Sequence, residues 1–261
     1  MGFKSSISLI GNKILACLFL LNQKKFIFFK ASPQYLLYHS LSAHSLSITT
    51  KDGCILQGWR FPGKDVDCNC IGIYFGGNAQ DCADVSTLAA TLNLSSVYAF
   101  NYRGYGLSEG EPTQKNIFND AIAIAKFIKA DHPGTEIIVI GFSLGSAVAG
   151  FVASQTRVQG CILVCPLSSV ADVVATRAKL NLPSRIIRQK FNLNQYACEI
   201  KSPTMVFVAS NDTLIPPSLS EKVYKRLECK KQICQIENAD HNDVLIQARF
   251  VDECNNFIAS L

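Results

Sequence analysis

The sequence predicts an α/β fold with a mostly parallel central sheet, an antiparallel hairpin at its amino-terminal end, helices on both faces and a small helical cap. Three observations predict it. From about residue 45 onward, apolar runs of four to six residues alternate with stretches of helical periodicity, as expected of parallel strands joined by crossover helices. Lys51-Asp52-Gly53 separates two strand-like segments, 47–50 and 54–59, and Asp-Gly supplies the positive φ of a tight hairpin turn. The chain has 261 residues, 48% of them hydrophobic and 17% charged. That is enough for one large core, too short for two full domains, and too apolar for disorder.

The elements follow in order. Residues 70–75 form an apolar strand closed by Gly76-Gly77, with a helical pattern over 81–92. A second strand, 96–100, leads through Asn101-Tyr102-Arg103-Gly104-Tyr105-Gly106 to a helix that Pro112-Thr113 starts and that runs to about residue 130. A third strand, 137–140, precedes a helix over 144–155. Residues 161–164, 205–209 and 232–236 read as further strands, and 244–258 as the closing helix. Between Pro166 and Pro203, Arg177, Lys179, Arg185, Arg188 and Lys190 mark a basic stretch read as two short helices over one edge of the site. The main domain is thus expected over 45–261, with the cap at about 166–203. Sheets of this kind carry their functional loops at the carboxyl ends of the strands.

Composition excludes several classes of function. The net charge of +5 comes from 25 basic and 20 acidic residues scattered along the chain. There is no basic block to track a phosphate backbone, so no nucleic-acid partner is expected. Eleven cysteines, an odd number in so long a chain, read as mostly reduced and buried. The pairs Cys68/Cys70 and Cys161/Cys165 lack C-x-x-C spacing and a nearby histidine, so no metal is expected. Gly104-x-Gly106 resembles the start of a dinucleotide fingerprint, but Glu109 stands where the third glycine belongs. No cofactor is expected, and that loop reads as site wall, with Tyr102 and Tyr105 as packing.

The amino-terminal segment, residues 1–44, differs from the rest. Its apolar run Ile14-Leu15-Ala16-Cys17-Leu18-Phe19-Leu20-Leu21 follows Lys4 and Lys13 but precedes Asn22-Gln23-Lys24-Lys25 rather than a small-residue cleavage site. Eight residues are too few to span a bilayer core, which takes about 20. Residues 26–29, between Lys24-Lys25 and Lys30, fit a headgroup region with aromatics inward and lysines on anionic lipid. The expectation is peripheral membrane contact in a cytoplasmic setting; a secretory signal, a spanning helix and an element packed on the domain are the competing readings. Met1-Gly2 with Ser6 also fits an amino-terminal myristoylation pattern.

The strand Ile137-Ile138-Val139-Ile140 runs into Gly141-Phe142-Ser143-Leu144-Gly145 and then a helix, the context a nucleophile elbow requires. The serine sits on a strained turn whose flanks approach each other, so glycine is wanted on both sides. A serine hydroxyl needs a base, usually histidine, oriented by a carboxylate. Of four histidines, His39 and His44 precede the core and His132 enters the nucleophile strand from the wrong end. That leaves His241, in a loop after the last strand. Asp212, after the strand at 205–209, is the carboxylate, with Asp172 as runner-up. Asp240 and Asp243 read as caps of the last helix. An oxyanion needs two backbone donors: the N–H of Leu144, and that of Asn78 in the loop Gly76-Gly77-Asn78-Ala79, unless that loop is only a tight turn.

The loop at 77–79, the stretch Asn101-Tyr102-Arg103-Gly104-Tyr105-Gly106-x-Ser108-x-Gly110, the elbow at 141–145, Asn211-Asp212-x-x-Ile215-Pro216 and His241-Asn242-Asp243 occur in this order. Together they resemble the α/β-hydrolase superfamily, and within it the lidless serine hydrolases that include membrane-associated protein depalmitoylases. The resemblance covers about residues 45–260. It implies Ser143 as nucleophile, Asp212 and His241 as its partners, and Asn78 and Leu144 as oxyanion donors. One departure is visible: relatives usually have histidine where this chain has Gly76, so the oxyanion loop is expected to lose an anchor. The expected activity is hydrolysis of carboxylic esters or thioesters through an acyl-enzyme, on a small-molecule or acyl-protein substrate, including protein-bound palmitate. Small-ester carboxylesterase, serine peptidase and an inactive binding module are the alternatives. The sequence carries no signal for oligomeric state.

Overall fold

The computed structural model describes residues 22–177 and 182–261. Its strands are β1 (Ser45–Thr49), β2 (Ile55–Pro62), β3 (Cys70–Phe75), β4 (Ser96–Phe100), β5 (Glu136–Phe142), β6 (Gly160–Val164), β7 (Thr204–Ala209) and β8 (Lys231–Ile236). The α-helices among the described residues are α1 (Gln23–Ile27), α2 (Tyr35–Ser40), α3 (Ser86–Ala89), α4 (Gln114–Asp131), α5 (Leu144–Gln155), α6 (Val170–Arg177), α7 (Leu193–Tyr196), α8 (Pro217–Arg226) and α9 (Ala248–Ala259). The apolar run ending at Leu21, the myristoylation pattern and Lys179 lie outside the described residues.

The strands form one sheet in the order β1-β2-β4-β3-β5-β6-β7-β8. β1 and β2 form the antiparallel hairpin, turning at Gly53 with φ +83°, and β2 pairs antiparallel with β4; from β4 across to β8 the sheet is parallel. Every residue of β4, β6 and β7 is buried, because helices cover both faces. Alternation along β5 sorts the side chains. Ile137 and Val139 face a core with α4, α5 and α8, whereas Ile138 and Ile140 face one with α3 and α9.

Chain order reverses direction across the sheet at the β3/β5 boundary, with Phe75 opposite Gly141 in the register. The loops that leave β3 and β5 therefore emerge side by side at the carboxyl edge, where an open α/β sheet forms its binding crevice. The oxyanion-loop candidate and the elbow are neighbours for this topological reason.

Two helices are shorter than the periodicity predicts. The 81–92 pattern resolves into a 3-10 turn, Cys82–Val85, and the single turn α3. Asp81 caps it by accepting from Ala83 N at 3.0 Å, and Asn255 of α9 takes up Asn93 N and Thr91 O, so the backbone beyond α3 is satisfied outside a helix. The closing helix starts late, at Ala248, because Gln247 is extended at φ −71° and ψ 131° after a 3-10 turn, Val244–Ile246.

Residues 22–41 pack on the domain as a strap. Ile27 and Phe28 are buried in the α4/α5 core and the Phe28 ring meets Phe191 edge-on, with centroids 6.0 Å apart. The Gln23 side chain donates to Ile186 O at 2.8 Å and accepts from Arg188 N at 2.7 Å, which ties the strap to the cap. Lys30 pairs with Glu111 at 2.8 Å, and the Tyr38 hydroxyl donates to the Asp81 carboxylate. The apolar residues at 26–29 therefore divide. Ile27 and Phe28 face inward, and Phe26 and Phe29 are 43% and 55% exposed.

Candidate active site

β5 ends in the turn that carries Ser143, whose φ of +53° and ψ of −116° are strained for a non-glycine residue by about 1–3 kcal/mol. Steric closure holds the turn. A Cβ at Gly141 would lie 2.3 Å from Gly145 O, and a Cβ at Gly145 would lie 1.9 Å from Phe75 O. The elbow thus requires glycine on both flanks because its own backbone and the end of β3 occupy that space. Ser143 N–H donates to Val164 O at 2.9 Å, which fixes the turn to β6.

The three residues predicted to act together meet. Ser143 Oγ lies 2.9 Å from His241 Nε2, and His241 Nδ1 lies 2.7 Å from Asp212 Oδ2. A carboxylate only accepts, so Nδ1 carries the proton that it donates to Asp212 and Nε2 is left to accept from the serine hydroxyl. The other oxygen of Asp212 accepts from Leu214 N at 2.8 Å and Ile215 N at 2.7 Å, which sets the plane of the carboxylate. All three side chains are buried, and the Phe142 ring lies against the imidazole with centroids 4.9 Å apart.

The other candidates fall elsewhere. Asp172 accepts from the Ser168 and Ser169 hydroxyls at 2.6 and 2.9 Å and from Lys222 at 3.0 Å. Burial opposes its ionisation, but these hydrogen bonds prevail and hold the carboxyl below its ordinary pKa. His132 Nε2 is 2.7 Å from the Tyr98 hydroxyl. Asp240 and Asp243 do not cap the last helix. Asp243 accepts from Asp240 N and Asp240 accepts from Asn242 N and Asp243 N, so they close the turn around His241.

Leu144 opens α5, and the first N–H groups of a helix have no intrahelical acceptor; that of Leu144 is available at the elbow. Asn78 lines the same cleft as Ser143. The loop bearing Asn78 has anchors despite Gly76. Gln80 Oε1 accepts from Gly77 N at 2.9 Å and from the Tyr74 hydroxyl at 3.1 Å, and the Tyr102 hydroxyl donates to Gly76 O at 2.8 Å. The Tyr105 hydroxyl donates to Asn78 Oδ1 at 2.8 Å. Tyr102 and Tyr105 are more than packing, and burial raises the pKa of both, keeping them as protonated donors. Behind them Arg103 binds Asp120 and Asp52 with contacts of 2.7 Å, which pins their loop to α4 and to the β1/β2 turn.

Ser143, His241, Asn78 and Leu144 line a cleft of about 360 Å³. Its other walls are mostly apolar, with Phe26, Ile27 and Phe29 of the strap, Leu167, Val170, Val173 and Val174 at the cap, and Leu214 and Ile215, and Arg177 and Asn242 as the polar exceptions. The strap residues carry no catalytic motif and escaped sequence reasoning. Val170, Val173 and Val174, at i, i+3 and i+4 of an edge helix, were a readable stripe. A larger cavity, about 630 Å³, lies between β1, β2, β4 and the end of α4, and its lining includes Arg60 and His44 but neither Ser143 nor His241. Chemistry, not size, selects the smaller cleft. The donor atoms of Cys165, Asp212 and His241 fall within 4.8 Å of one another. They suit a metal poorly: Asp212 and His241 Nδ1 are committed to each other, and burial followed by the Asp212 charge raises the Cys165 pKa, which keeps the thiol protonated.

A family model described as "alpha/beta hydrolase fold" matches residues 93–192, which hold β4, α4, β5, the elbow, α5 and β6. The chain has the α/β-hydrolase fold. It is similar to the uncharacterised Mycobacterium tuberculosis protein Rv2307c, 28% identical over 200 residues covering 75% of this chain and 71% of that one. The alpha/beta hydrolase domain-containing protein aho-3 of Caenorhabditis elegans is 26% identical over 71% of this chain, which spans 56% of aho-3. Among solved structures the Pyrococcus furiosus esterase Pf2001 superposes with a TM-score of 0.66 at 22% identity, covering 85% of this chain and 95% of that one. Such a likeness establishes the fold. Within this fold, the 10 described cysteines form no disulfide.

Proposed function

We propose that this chain is a serine hydrolase that cleaves carboxylic esters or thioesters through an acyl-enzyme. The observation that carries the reading is the relay from Asp212 through His241 to Ser143, with links of 2.7 and 2.9 Å. Ser143 Oγ attacks the carbonyl carbon as its proton passes to His241 Nε2. The carbonyl oxygen becomes an oxyanion facing the N–H groups of Leu144 and Asn78, each worth about 10²–10³ in rate where such donors have been removed. The imidazolium, stabilised by Asp212, then protonates the leaving alcohol or thiol. Water, deprotonated by His241, attacks the acyl-serine, and the proton returns to Ser143 as the acid departs.

The apolar walls of the cleft favour substrates with an apolar acyl chain, protein-bound palmitate included. Exposed Phe26 and Phe29 stand beside the cleft with exposed Lys24, Lys25 and Lys30, a composition suited to peripheral contact with an anionic lipid surface. No helix among the described residues is long and apolar enough to cross a membrane. The volume of about 360 Å³, near the lower end of ligand-sized pockets of about 300–1,000 Å³, favours a second reading, hydrolysis of small soluble esters.

Labelling with a fluorophosphonate probe, read by intact mass, tests the chemistry. One adduct is expected, absent in Ser143→Ala and His241→Ala; an adduct that persists in Ser143→Ala refutes the assignment. Rates across p-nitrophenyl esters from acetyl to palmitoyl separate the two substrate readings, since a steady fall with chain length defeats the long-chain one.

A further inference from the structure

The Asn78 side chain reaches far from its own loop. Its Oδ1 accepts from Phe29 N at 3.0 Å and from the Tyr105 hydroxyl at 2.8 Å, and its Nδ2 donates to Ile27 O at 2.8 Å. An asparagine chosen for a turn bonds its own backbone about two residues on; here the partners on the strap are 49 and 51 residues away. The amide uses three of its four hydrogen-bonding positions, and both partners on the strap are main-chain groups. The strap is itself fixed by buried Ile27 and Phe28, by Gln23 on the cap and by Gly106 N donating to Ala31 O at 2.9 Å.

We infer that Asn78 is a positioning residue whose side chain makes the oxyanion geometry depend on the amino-terminal strap. The inference rests on the hydrolase reading above and deepens it. An oxyanion donor works when its N–H is aimed to within a few tenths of an ångström of where the charge develops. The Asn78 N–H belongs to a loop that turns at Ala79 with φ +62°, and no described group accepts from it. Holding the side chain at its far end fixes the Asn78 Cα, and with it the direction of the adjacent N–H. The strap therefore does two things at one place: it walls the cleft with Phe26, Ile27 and Phe29, and through Ile27 O and Phe29 N it holds the oxyanion loop.

The test is steady-state kinetics and thermal melting of full-length variants on a soluble p-nitrophenyl ester. Asn78→Ala is expected to lower kcat and kcat/KM together by on the order of 10- to 100-fold, short of the loss on deleting a donor outright, with KM little changed. Phe29→Pro deletes the N–H that Asn78 accepts, and Phe28, at φ −110° and ψ 101°, already has the extended backbone required before proline. Phe29→Ala keeps the N–H and controls for the lost ring. Phe29→Pro should be slower than Phe29→Ala when Asn78 is present and equal to it in the Asn78→Ala background.

Wild-type kcat in Asn78→Ala, or a proline-to-alanine gap that survives there, overturns the clamp. Should Asn78→Ala fail to fold, the two Phe29 variants decide: equal kcat overturns the clamp, and a slower proline variant with an unchanged melting temperature supports it. Phosphonate labelling separates the two levels. Ser143-dependent labelling with unimpaired Asn78→Ala removes the clamp alone, and its absence in the wild type removes the hydrolase reading and the clamp together.

Discussion

The two halves of the site are held in different ways. The half carrying Ser143, Asp212 and His241 is fixed by strand ends and tight turns: the glycine-flanked elbow, the Leu214 and Ile215 N–H groups on Asp212, and the Asp240/Asp243 turn around His241. The half carrying Asn78 is fixed by side chains and main chain from remote segments, namely Tyr102, Tyr105 and the strap, with Gln80 as its one local anchor. The first half comes with the sheet. The second is assembled by packing, so it can be loosened without unfolding the sheet.

The largest expected effect breaks the first half. Ser143→Gly should cost at least about 10⁴-fold in turnover yet raise the melting temperature above that of Ser143→Ala, because glycine relieves the positive φ; a lower melting temperature would show that the turn is not strained. Next, Gly145→Ala drives a Cβ into Phe75 O and Gly76 O, displacing the elbow and the oxyanion loop at once. It should lose about 1–3 kcal/mol of stability and most activity, and full activity would contradict the close approach.

Smaller effects sharpen the contrast. Tyr102→Phe and Tyr105→Phe each remove one hydroxyl from the oxyanion loop and should cost about 1 kcal/mol or less of stability while lowering kcat several-fold. Comparable phosphonate adducts at long times with slower rates of formation would place the loss in the second half. The smallest effect concerns Asp52→Asn. Hydrogen bonds from Arg103, then Thr50, hold the Asp52 carboxyl well below its ordinary pKa. A depressed carboxyl contributes stability above its unfolded pKa of about 4, and that contribution fades as the pH falls toward the folded value. The wild type should melt slightly above Asp52→Asn at pH 7 and converge with it toward pH 2; a gap that widens in acid reverses the sign.

This division also explains what the sequence disclosed. Ser143, Asp212 and His241 were readable because each stands at a strand end in a local pattern, and the strands were readable from apolar runs buried on both faces. Asn78 was readable as a candidate backbone donor from its glycine-rich loop, whereas its side-chain partners were not, since a bond to Ile27 O and one from Phe29 N leave no residue-type signature. Helix lengths failed where the satisfaction of backbone groups overrode periodicity, as at Asn93 with Asn255. Gly76 marked a missing anchor, but the substitute, Gln80, lay four residues on without any motif to flag it.

The strap has a further consequence, for the order of synthesis. Gln23 is joined to Ile186 and Arg188, 163 and 165 residues further along the chain. At about 5–20 residues added per second, the strap would wait roughly 8–30 seconds on the ribosome for those partners. During that interval Ile27 and Phe28 lack part of their burial, including the edge-on contact of Phe28 with Phe191, so the strap is fully seated only once the cap has been made.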